Sequence, residues 1–313
     1  MDIYNYIDNG FLIGEPILSN SEILEIRELL DKYYINLGDN SEMLLNDNND
    51  YLHNKLINLL KTKSISNFFD SLEKITGEKI SVLPPFIVMR NYFPHPYLLN
   101  GWHSDCGGEL KRKYCRDKLK KSNYVFGKIG IYLQLNGEAG GSIDVIPKSH
   151  FVIRRFNTIK RHLSTWRLLC YKILHSFSPS LFKFIPENYL HKFLKSLTLR
   201  PLISSPVFFD SGIIHKGTSP NRSIIKNLVF EKNLIQIKNT PKNLTKYAIY
   251  FQFGNKIGIK SYMHDRLRRS PSGQCSGDES KIWKAQTNFL IKNNYIKGSK
   301  MKNIINQANS SVA

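Results

Sequence analysis

The chain predicts a mainly β fold, a sandwich or jelly roll clad by helices. Three observations carry this. Helical periodicity dominates the first 77 residues. From residue 79 onward come short runs rich in β-branched and aromatic residues, bounded by Gly, Pro, Asn or Asp. One later stretch returns to helical spacing and reads as an insertion at about 152–200. With 313 residues, 41% of them apolar, the chain can bury one large core or two modest ones. Neither a composition shift nor an internal repeat divides it, so a single domain over residues 1–313 is expected.

Ser19 to Tyr34 reads as the first helix. Ser19 and Glu22 form a capping-box pattern, and Ile23, Ile26, Leu29, Leu30 and Tyr33 form one apolar stripe. Tyr51 to Leu60 and Ser64 to Ile75 follow as helices, the second stopping at Gly77. Strands are then expected at Lys79–Val82, Phe86–Phe93, Tyr124–Leu135, Ser142–Ile146, Val207–Phe209 and Ala248–Phe253. Between them, Phe156, Ile159, Leu163, Trp166, Cys170, Ile173 and Phe177 recur at helical spacing among Lys160, Arg161, Arg167 and Lys172. Leu190 to Leu197 repeats that character with Lys192 and Lys195. This basic amphipathic insertion, 156–197, suits a lid, a peripheral membrane contact, a dimer contact, or plain packing of a helical face on the sheet.

Composition narrows the setting. Cys106, Cys115, Cys170 and Cys275 are widely spaced and form no CxxC pair, which argues against a disulfide framework or structural zinc and fits a reducing cytosol. Met1 to Gly14 carries Asp2 and Asp8 where a secretory leader needs a basic start and an apolar run. The apolar runs are too short to span a bilayer, so a cytoplasmic protein is expected. The formal charge is +20 with pI near 9.7. Two readings meet that charge: a polyanionic partner, or a general Lys, Asn and Ile bias such as Ile291 to Lys300 displays. The lysines are scattered, and no compact basic motif with interleaved aromatics stands outside the insertion, which disfavours nucleic acid.

Two distant segments carry the chemistry. In Gly101-Trp102-His103-Ser104-Asp105, an extended backbone points His103 and Asp105 to the same face. In Pro206 to His215, an apolar strand, a turn at Ser211-Gly212 and a short apolar run end in a second histidine. Two histidines and one carboxylate are the donor set of a facial triad that leaves open positions on Fe(II).

These segments, with Gly140-Gly141-Ser142 to His150 between them and His215 to Ser223 after them, resemble the phytanoyl-CoA dioxygenase family from about Arg90 to Gly254. The resemblance implies a double-stranded β-helix, Fe(II), 2-oxoglutarate and O2, with His103, Asp105 and His215 as the iron ligands. It implies oxidation with release of succinate and CO2, most simply hydroxylation of a C–H bond; it does not name the substrate, for which a small molecule or a lipid- or saccharide-linked one is expected. Halogenating relatives replace the carboxylate by a small residue, whereas Asp105 is present here. Desaturation and ring closure use the same oxidant and stay open. So does a non-catalytic binding protein on the same fold, which would need no triad.

In that family an arginine at the start of the strand after the distal histidine usually grips the co-substrate's far carboxylate. Lys246 holds the matching position, a point charge in place of a planar fork, with Arg222 and Lys226 as rivals. Along Lys128 to Leu135, Ile129, Ile131, Leu133 and Leu135 share one face, and Gly130, Tyr132 and Gln134 the other. Tyr132 and Gln134 either meet the co-substrate or lie on a half-exposed outer face. Asp210 either orients a metal ligand or caps the turn after it.

Overall fold

The computed structural model describes residues 2–37, 42–45, 51–91, 102–105, 124–134, 143–150, 170, 173, 187–218, 245–260, 262, 277–296 and 302–303. Four helices precede the main strands: α1 (Ile3–Asn9), α2 (Asn20–Leu37), α3 (Tyr51–Asn58) and α4 (Lys63–Thr76). The expected capping box is made at α2: Ser19 N donates to Glu22 Oε2 at 2.8 Å, and Glu22 N donates to Ser19 Oγ at 3.3 Å. The α2 stripe is buried as its spacing requires, with Ile26 and Leu30 sealed from solvent. Helix α4 ends at Gly77, whose φ of +67° permits the left-handed cap.

Nine strands form two antiparallel sheets among the described residues. They are β1 (Phe11–Ile13), β2 (Glu42–Leu44), β3 (Ser81–Asn91), β4 (Phe126–Tyr132), β5 (Ile143–Ile146), β6 (Leu197–Thr198), β7 (Pro206–Asp210), β8 (Ile214–Gly217) and β9 (Lys246–Gly254). The larger sheet runs β1-β7-β4-β9-β3-β2, and the smaller β6-β5-β8. Alternation along the central strands builds two cores. Ile129 and Ile131 of β4, with Leu133 just after it, join Phe208 of β7 and Ile249, Phe251 and Phe253 of β9 beneath the helices. There Phe68 of α4 stacks on Phe208 with ring centroids 3.8 Å apart. Tyr132, Val207, Phe209 and Ala248 point the other way and pack against Ile143 and Val145 of the smaller sheet. The mainly β expectation with helical cladding therefore holds, as two packed antiparallel sheets with helices on the outer face of the larger one.

Two expected strands prove to be one. Lys79–Val82 and Phe86–Phe93 merge into β3, with a register shift against β9 between Leu83 and Ile87. Pro84 and Pro85 lie in that gap and offer no N–H to the ladder. Gln286, on a helix much later in the chain, spans the interruption: its Oε1 accepts from Phe86 N at 3.0 Å, and its Nε2 donates to Phe86 O at 3.2 Å and to Leu45 O. That later helix, α6 (Gly277–Lys292), follows α5 (Glu187–Leu194), the part of the insertion that is described continuously. On α5, Tyr189 and Phe193 are exposed while Leu194 is buried. Residues 156–169, 171–172 and 174–186 of the insertion lie outside the described residues, as do Cys106, Cys115 and Cys275. No described helix is long and apolar enough to cross a membrane.

Candidate metal centre

Trp102 begins the first site segment and is itself an anchor. It is buried with Ile146 of β5, Ile214 of β8 and Leu194 of α5. That packing lays the next residue beside β8. His103 N donates to His215 O at 2.9 Å, and His215 N donates to His103 O at 2.8 Å. This is a hydrogen-bonded antiparallel pair, so both side chains leave the same face. The two rings lie 4.4 Å apart between centroids. Asp105, two residues on, returns to that face.

One donor atom from each of His103, Asp105 and His215 lies within 4.8 Å of the other two. His215 Nδ1 sits 2.9 Å from Ile213 O. A carbonyl only accepts, so Nδ1 carries the proton and Nε2 keeps its lone pair. Burial pushes the His215 pKa down to about 4, which keeps the ring neutral at physiological pH. Its Nε2 faces Asp105 Oδ2 across 3.9 Å. Asp105 Oδ2 is buried and has no hydrogen-bond partner among the described residues. Two acceptors facing each other with no donor between them suit a cation, and this donor set suits a divalent transition metal.

Lys128, on β4, is the site residue that sequence reasoning did not single out. Its Nζ lies 3.0 Å from Asp105 Oδ1. Burial opposes the charge on both partners, yet their attraction prevails: the Asp105 pKa falls and the Lys128 pKa rises. The alternation that places Tyr132 on the inter-sheet face places Lys128 there too, which was the available signal. Phe209, paired with Lys128 across β4 and β7, packs against the His215 ring at 5.2 Å.

The remaining candidates are buried rather than half-exposed. Tyr132 is 2% exposed and Gln134 6% exposed, so the outer-face alternative fails for both. Tyr132 points between the sheets, its hydroxyl 3.5 Å from that of Tyr250. Burial raises both phenol pKa values, Tyr132 well above the ordinary range. Gln134 extends the β4–β9 ladder, its Oε1 accepting from Tyr247 N at 3.0 Å. Lys246 opens β9 and is buried, with Nζ 5.7 Å from the centroid of the Tyr132 ring. Burial pushes its pKa down to about 8, with Asp144 acting against that fall. Asp144 is wholly buried; Lys216 Nζ lies 3.3 Å from its Oδ2, and Thr218 Oγ1 donates to its Oδ1 at 3.1 Å. Asp210 takes the turn role: its Oδ1 accepts from Gly212 N at 2.8 Å. Arg222 and Lys226 lie outside the described residues.

No protein-family model matches the chain, and no curated protein does. Solved structures do match it. EvdO2 from Micromonospora carbonacea var. aurantiaca, complexed with 2-oxoglutarate, is 10% identical over 81% of this chain and 89% of its own, with a TM-score of 0.41. SnoK, a non-heme alpha ketoglutarate dependent carbocyclase from nogalamycin biosynthesis, is 10% identical over 81% and 82%, with a TM-score of 0.42. EctD from S. alaskensis, in its apoform, is 11% identical over 81% and 75%, with a TM-score of 0.43. At these values the similarity carries no argument about chemistry, which rests on the site's own residues.

Proposed function

We propose that the chain is a non-haem Fe(II)- and 2-oxoglutarate-dependent oxygenase. His103, Asp105 and His215 hold the metal, and Lys246 receives the distal carboxylate of 2-oxoglutarate. The observation that carries this is the convergence of the three donors within 4.8 Å, with the lone pair of His215 Nε2 already set by its bond to Ile213. Bound iron would supply the activation of O2, one oxygen atom going to succinate as CO2 leaves and the other to a substrate C–H bond. The chain's own residues orient and enclose. Trp102 and Ile213 fix the two histidines, Tyr132 lines the space between the sheets, and the Lys246 ammonium offers a buried charge for a carboxylate. Gln134 follows Tyr132 on the same strand face, with its Oε1 accepting from Tyr247 N, and its amide is proposed as a further contact for the co-substrate. The substrate is proposed to be a small molecule or a lipid- or saccharide-linked one.

The test is anaerobic addition of Fe(II) and 2-oxoglutarate, which should produce the visible charge-transfer band of the chelate. His103→Ala should abolish the band and the substrate-independent release of succinate. An unchanged band and unchanged succinate release in that variant would remove the triad.

A further inference from the structure

We propose that Lys128 is a positioning residue that restricts Asp105 to a single metal-coordinating oxygen. This rests on the oxygenase reading above and adds a device to it. A carboxylate binds a metal through one oxygen or chelates through both. If Asp105 chelated, it would take one of the positions that 2-oxoglutarate and O2 need. The two oxygens of Asp105 are not equivalent here. Oδ1 is held by the Lys128 ammonium at 3.0 Å. Oδ2 is buried, faces His215 Nε2 at 3.9 Å and has no hydrogen-bond partner among the described residues. One oxygen is thus occupied by a charge-assisted bond, and the other is turned toward the second metal ligand.

Lys128 is placed to hold this arrangement. It lies in the middle of β4, paired with Phe209 on β7 and with Gln252 on β9, so its backbone is fixed on both sides. Phe209 also packs on the His215 ring, linking the lysine's seat to the distal ligand. Partners that orient a metal ligand commonly change metal-site properties by roughly 10–100-fold when removed.

The experiment uses Lys128→Met and Lys128→Arg, loaded anaerobically with Fe(II) and 2-oxoglutarate. Two readouts are taken: the charge-transfer band, and the paramagnetic resonance signal of added nitric oxide, a stand-in for O2. Lys128→Met should keep the band, because the chelate still finds two positions. Its dissociation constant for nitric oxide should rise roughly tenfold or more, as Asp105 closes the remaining position. Lys128→Arg should restore wild-type nitric oxide binding. A methionine variant that keeps the band and binds nitric oxide as tightly as wild type overturns the proposal. If that variant does not fold, Lys128→Leu replaces it, having no hydrogen-bond donor, and equal nitric oxide affinity in wild type and leucine variant overturns the proposal. Absence of the band in wild type would overturn the oxygenase reading itself, and the role of Lys128 with it.

Discussion

His103 and His215 exchange both backbone hydrogen bonds, at 2.9 and 2.8 Å, although 112 residues separate them. The pairing makes the centre a property of the backbone. Once β8 is in the sheet, the register of His103 follows, and with it the face on which Asp105 emerges. The rings need no long side-chain network to meet at 4.4 Å.

Lys246 predicts a pH limit on co-substrate affinity. Burial brings its pKa down to about 8 from the ordinary 10.5. A carboxylate is attracted by the ammonium and not by the neutral amine. Affinity for 2-oxoglutarate, titrated through the charge-transfer band, should therefore fall as pH rises above about 8. Lys246→Arg stays charged and should flatten that fall. A wild-type affinity constant from about pH 7 to about pH 10 would exclude Lys246 as the seat. Stability has the opposite sign. Between the folded pKa and the unfolded value the unfolded chain holds more protons, so on this account stability rises with pH across that window. Below pH 8 the cost of burying the charge is fully present.

Asp144→Asn should destabilise the protein. The carboxylate is wholly buried against Lys216 and acts to hold the Lys246 pKa up. Removing one partner of a buried ion pair costs about 3–5 kcal/mol, because the remaining charge stays buried. Urea denaturation should show a lower midpoint. In the surviving folded protein the pH limit on 2-oxoglutarate affinity should move down. An unchanged midpoint would mean that Lys216 turns to solvent in the variant.

Gly258→Ala tests the short helical segment that follows β9. A Cβ at Gly258 would lie 2.0 Å from Val125 O, a backbone atom with no freedom to move aside. Asn255 ties the same place together, its Oδ1 accepting from Val125 N at 3.2 Å and from Gly258 N at 3.0 Å. The methyl must displace the chain just before β4, the strand that carries Lys128. The expected loss is about 1–3 kcal/mol, read as a fall in thermal midpoint of several degrees. An alanine variant with the wild-type midpoint would show that this segment can shift away from Val125 without cost.

Much of the candidate site was legible in the sequence because it is local. The HxD spacing places His103 and Asp105 on one face of any extended segment. The alternation of β4 separates Ile129, Ile131 and Leu133 from Tyr132, and the structure sends the two sets to different cores. The Ser19–Glu22 pair announces a helix start through bonds spanning three residues. The break at Pro84-Pro85 was legible too, but as an end of strand; in the structure β9 pairs with β3 on both sides of it, and the Gln286 amide, 200 residues away, bonds Phe86.

By itself, then, the sequence determined which residue types can bind a metal, which of them share a face, and where helices begin. These depend on periods of two and 3.6 residues, which any short stretch of chain expresses. Tertiary structure alone decided the rest: that His103 pairs with His215, that Lys128 holds Asp105, and that Asp144 meets Lys216. Such contacts depend on strand order and register, and the residues that make them carry no local mark of their partners.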